Sequence, residues 1–208
     1  FIVGQASTNS GGNGRDAIRC MCVTTGTLVS GFTLRDGHTT TNVIMTCPWD
    51  PYYCWVSDVS PASGGGIWSL SQDVVVWNCR FIDNDAYLHG GGVCNATVFN
   101  CTFVSNRAET GAGGGAHGCV VSNCTFIGNQ ARSGGGMHGG TAADCVFDGN
   151  IADDYGGGAH DSMIVSCSFG GNSAGNGGGA SGCYVSNSIF VRNAASGGGG
   201  ASGDTSYG

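Results

Sequence analysis

Between residues 79 and 200 one frame returns six times: a cysteine, a phenylalanine two positions on, an asparagine three after that, an alanine two further, then a run of glycines. It reads Cys79, Phe81, Asn84, Ala86, Gly90–Gly92, and then Cys101, Phe103, Asn106, Ala108, Gly113–Gly115. It returns as Cys124, Phe126, Asn129, Ala131, Gly134–Gly136, and as Cys145, Phe147, Asn150, Ala152, Gly156–Gly158. The fifth copy is Cys167, Phe169, Asn172, Ala174, Gly177–Gly179; the sixth places Ser188 where the others have cysteine, with Phe190, Asn193, Ala195 and Gly197–Gly200. The phenylalanines step by 22, 23, 21, 22 and 21 residues. Self-similarity at such a period specifies a stacked repeat. Leucine-rich, ankyrin and tetratricopeptide frameworks are absent, and glycine triplets among β-favouring residues exclude helical repeats.

Within one unit the pattern alternates. In Ser122-Asn-Cys-Thr-Phe126, Cys124 and Phe126 share one strand face, Asn123 and Thr125 the other. Coils stacked at ~4.8 Å then build an internal ladder of Phe81, Phe103, Phe126, Phe147, Phe169 and Phe190. Asn84, Asn106, Asn129, Asn150, Asn172 and Asn193 fall at the following bend, where asparagine tolerates left-handed geometry and stacked amides can bond from coil to coil. The glycine run marks tight or positive-φ backbone, and one inward residue follows it: Val93, Ala116, Met137, Ala159, Ala180, Ala201. The expected fold is all-β, a right-handed parallel β-helix of about 22 residues per coil.

A degenerate copy lies upstream. Gly31 to Gly37 aligns with Asn100 to Asn106, and Gly64-Gly65-Gly66-Ile67-Trp68 with Gly113 to His117. An insertion over about 38–63 separates them. Phe1 to Gly4 and Ile18 to Thr25 read as strands of a still earlier coil. The sum is one domain over 1–208, of seven to eight coils.

This frame resembles the polymorphic outer membrane protein repeat, which pairs F-x-x-N with G-G-A-I tetrads. It is similar also to the pectate-lyase-like β-helix repeats of bacterial surface proteins and autotransporter passengers. The resemblance covers about Cys20 to Gly203. It implies the fold; that fold carries lyases, hydrolases and adhesins alike, so it implies no single activity.

Composition narrows the partners. The net charge is −7 with seven Lys+Arg, so no basic stripe is available for nucleic acid or an anionic membrane surface. No run of 18 apolar residues occurs, and membrane insertion is not expected. Twelve cysteines favour an oxidising, extracellular-type compartment. The chain begins at Phe1, without Met or a signal-like segment, and is expected to be a processed or truncated product.

Candidate sites are few. The insertion concentrates Trp49, Tyr52, Tyr53 and Trp55, with Trp68 just beyond; exposed aromatics there could meet a sugar ring or a protein, or simply cover the helix flank. Cys47 and Cys54 are expected to close that loop by a disulfide. The column Cys79, Cys101, Cys124, Cys145, Cys167 can either pair or stand as buried thiols acting as small hydrophobes. His117, His138 and His160 each follow a glycine triplet by two residues and should stack outward, as a plain surface ladder or as ligands sharing a transition metal. No metal site and no cofactor are otherwise expected. Carboxylates (Asp83 with Asp85, Asp144 with Asp148, Asp153 with Asp154) lie in turns without a recurring column, so an enzyme is not expected.

The function these features favour is a secreted or cell-surface structural or adhesive protein. Its partners would be glycans, other surface proteins, or copies of itself stacked head to tail into a filament, since a solenoid exposes open strand edges unless capped. The rival expectation is a polysaccharide lyase- or hydrolase-like enzyme, or a carbohydrate-binding module.

Overall fold

In the computed structural model of the protein, residues 2–4, 19–39, 62–203 and 205–207 are described. They form an all-β parallel solenoid with about 22 residues per turn. The first sheet stacks eight strands, from Ile2–Val3 and Thr33–Arg35 through Arg80–Ile82, Thr102–Val104, Thr125–Ile127, Val146–Asp148 and Ser168–Gly170 to Ile189–Val191. A second sheet of six strands runs from Asp85–Ala86 to Ala194–Gly197, and a third of fourteen carries the residues after each glycine run.

The upstream alignment holds in register: Leu34 pairs with Phe81, Ile67 with Val93 and Trp68 with Cys94. The turn count is corrected, because the regular stack comprises roughly six turns rather than seven to eight. Upstream of Ile67 the described residues contribute separate short strands rather than complete copies of the frame. The ends of the insertion expected over about 38–63 are joined to the stack: His38 pairs with Asp85, and the Thr39 hydroxyl donates to the Ala62 carbonyl at 3.0 Å.

Each coil turns at four left-handed corners. One precedes the cysteine position (Asn78, Asn100, Asn123, Asp144, Ser166, Asn187), and one precedes the asparagine (Asp83, Ser105, Gly128, Gly149, Gly171, Arg192). The third is the first glycine of the run (Gly198, the second, in the last copy), and the fourth follows the histidine position (Asn95, Gly118, Gly139, Asp161, Gly182). The bend expected at the asparagine itself therefore lies one residue earlier. The asparagine is freed for a different task.

That task is a buried amide ladder. Asn106 Nδ2 donates to Asn129 Oδ1 at 2.9 Å and to the Phe81 carbonyl at 3.0 Å, while its backbone N–H also donates to Asn129 Oδ1. The same set repeats at Asn129, Asn150 and Asn172. Every polar atom of these fully buried amides is thus satisfied, which burial requires. In the degenerate coil Gly37 stands in the ladder, its N–H donating to Asn84 Oδ1.

The phenylalanines stack with centroids 4.5–4.8 Å apart and planes within 10° of parallel. Phe81 through Phe169 are fully buried, each worth about 1.5–3 kcal/mol in transfer from water. The glycine run is shaped around them. A Cβ on Gly115 would lie 2.6 Å from Phe126 Cδ1, and one on Gly136 would lie 2.8 Å from Phe147 Cδ1.

The cysteine column is resolved in favour of buried thiols: no disulfide joins the described residues. Each thiol follows a left-handed corner and donates to the carbonyl two residues back, as Cys124 does to Ser122 at 3.2 Å. Its sulfur also accepts the backbone N–H of the coil before, Cys101 N to Cys124 Sγ at 3.4 Å. Ser188 performs the same service for Cys167, at 3.1 Å. Cys119 and Cys183, which sequence left without partners, repeat the motif at the other corner, donating to His117 and Ser181 carbonyls.

Candidate functional site

The third sheet builds one outward column. Its glycine run ends against a phenylalanine ring, the next residue points inward, and the one after points out. Register then aligns Cys22, Trp68, Cys94, His117, His138, His160, Ser181 and Ser202. The three predicted histidines are therefore brought together. His117 and His138 lie 5.2 Å apart and nearly parallel, at 6°; His138 and His160 lie 5.3 Å apart but tilted by 66°.

Two members were missed. His89 stacks on His117 at 4.4 Å, and Tyr155 stacks on His160 at 5.3 Å. Both stand immediately before a glycine run, across the corner from the column. The available signal was that each adjoins the first, left-handed glycine, Gly90 or Gly156. Asp161 was passed over as well, a carboxylate at the corner where neighbouring coils carry Asn95, Gly118, Gly139 and Gly182.

The rings are half-buried rather than fully outward. Burial holds the His117 imidazole down to about 3, assisted by repulsion from His89 and His138. Burial lowers His89 and His138 too. Hydrogen bonds orient two of the rings. The Ala112 N–H donates to His89 Nδ1 at 3.1 Å, and His160 Nδ1 donates to the Ser181 carbonyl at 2.7 Å. His160 Nε2 lies 3.6 Å from Asp161 Oδ2. Burial also pushes the Cys94 thiol up to about 12 and Cys119 to about 11, so neither supplies a thiolate at neutral pH.

Of the aromatic candidates, Trp68 is half-buried in this same column, with the Arg19 guanidinium 5.8 Å from its ring centre. Trp49, Tyr52, Tyr53, Trp55, Cys47 and Cys54 lie outside the described residues. The paired carboxylates do not share one role: Asp154 forms an ion pair with Arg132 at 2.7 Å and Asp85 with Arg107 at 3.5 Å, while Asp83 and Asp144 are corner residues.

Neither a protein-family profile, a curated protein nor a solved structure matches the chain. The resemblance to polymorphic outer membrane and autotransporter repeats has no support beyond the motif residues themselves.

Proposed function

We propose that this chain is a structural or adhesive element displayed outside the cell or on its surface. One observation carries the proposal: the inward cysteine, phenylalanine and asparagine columns are nearly constant while outward columns vary. Behind each invariant phenylalanine, the preceding strand position runs Arg80, Thr102, Thr125, Val146, Ser168, Ile189. The conserved chemistry of the repeat is spent on joining coil to coil, and the exterior is left to carry recognition. Such a division suits a rigid shaft bearing contact surfaces, with Trp68 and the insertion over about 38–63 as the contact region. Eight of the ten described thiols are buried and so shielded from an oxidising medium, which makes their being unpaired compatible with an external location. Head-to-tail association and glycan binding belong to the same proposal.

The test is direct. Intact cells of the source, treated with an impermeant protease or labelled with antibody, should expose the protein, and glycan arrays should detect binding that falls in Trp68→Ala. An exclusively internal location would overturn the proposal. Release of products from acidic or neutral polysaccharides would replace it with the lyase- or hydrolase-like alternative.

A further inference from the structure

We infer that His138, His160 and Asp161 form a binding site for a single divalent transition-metal cation. One ligand nitrogen from each histidine and one carboxylate oxygen of Asp161 lie within 4.8 Å of one another. Two imidazoles and a carboxylate suit zinc, cobalt or nickel, and leave further positions for water or a ligand.

Ring orientation selects this trio from the longer column. His117 and His138 are nearly parallel, so their in-plane lone pairs run side by side and share no focus. His160 is turned by 66° relative to His138, which lets the two sets of lone pairs converge. Two contacts hold that turn: Tyr155 packs on one face of the His160 ring, and Nδ1 is anchored on the Ser181 carbonyl. The anchor also fixes the tautomer, leaving Nε2 as the ligand atom; such an outer hydrogen bond is the usual partner of a metal-bound histidine.

The separations fit. His160 Nε2 and Asp161 Oδ2 are 3.6 Å apart, against about 3.4 Å for two ligands around a tetrahedral zinc with bonds near 2.1 Å. The widest edge of the trio, at most 4.8 Å, closes by roughly 1.4 Å of side-chain movement to the same geometry. His138 Nδ1 is buried with no hydrogen-bond partner, so no internal bond there has to be surrendered. A Cβ on Gly182 would sit 2.7 Å from Asp161 Oδ1, so the glycine is what lets the carboxylate lie at this corner beside His160. Asp161 is solvent-exposed and gives the ion a way in. Among the described residues this is the one coil whose histidine is followed by a carboxylate.

The experiment titrates the reduced full chain with cobalt(II), following visible absorption and heat. One ion per chain is expected, with ligand-field bands and no thiolate charge-transfer band. Asp161→Asn and His160→Gln should each weaken binding by ~10–100-fold or more, with circular dichroism and melting temperature unchanged. His117→Gln should bind as the parent does. Absence of one-to-one binding, thiolate bands as the sole signature, undiminished binding in Asp161→Asn and His160→Gln, or loss of binding in His117→Gln would each overturn the assignment.

Discussion

A cysteine that follows a left-handed corner can do what a valine of similar size cannot. At Cys124 the thiol donates within its own coil and the sulfur accepts the Cys101 N–H from the coil before. Cys124→Ser should therefore stay close to the parent in urea denaturation, as the natural Ser188 suggests. Cys124→Val should cost about 1–3 kcal/mol, because a buried N–H loses its acceptor. A valine as stable as serine would show that the column acts by volume alone. The histidines supply a second residue-scale prediction. The folded chain holds His117 down to about 3, whereas an unfolded imidazole titrates near ~6.5. Between those values the unfolded state binds a proton that the folded state does not, so stability is full above the upper value and falls as pH is lowered through the window. His117→Phe should flatten that part of the melting temperature–pH curve; an unaltered slope would place the acid sensitivity elsewhere.

At the scale of the coil, the glycine run shows what a repeat reveals and what it hides. Its first glycine has positive φ, which the sequence suggested. The second and third are glycine because of neighbouring coils: Gly135 faces Gly157 and Ile151 carbonyls, and Gly136 faces the Gly158 carbonyl and the Phe147 ring. Gly136→Ala should therefore destabilise by about 1–3 kcal/mol or more through overpacking. Gly128→Asn, at an open left-handed corner where other coils carry Asp83, Ser105 and Arg192, should change stability by roughly 0.5 kcal/mol or less. Equal losses in thermal melts would contradict this division of roles. The phenylalanine and asparagine columns, the Ser188 substitution and the histidine alignment were legible because each recurs at the period. His89, Tyr155 and Asp161 were not, because each departs from its column and reaches the site across a corner. The tilt of His160 depends on contacts to Tyr155 and Ser181, which no spacing encodes.

Among the described residues the strands of each coil pair with those of the coils before and after it, so stability should propagate by neighbours. Asn129→Ala removes the acceptor for Asn106 and the donor to Asn150. Native-state hydrogen exchange should then show lost protection centred on the strands of Phe103, Phe126 and Phe147, fading toward Phe190. Uniform loss along the chain would instead indicate a single cooperative unit.

The amide ladder has one further property. Each asparagine receives bonds at its oxygen from the coil before and sends them forward through its nitrogen to the coil after. Along this column the two rims of a coil are therefore unlike, one presenting the amide oxygen and the other amide N–H groups. A coil turned upside down would set oxygen against oxygen, so the shaft reads in a single direction, and any surface that continues this column must arrive with the same polarity.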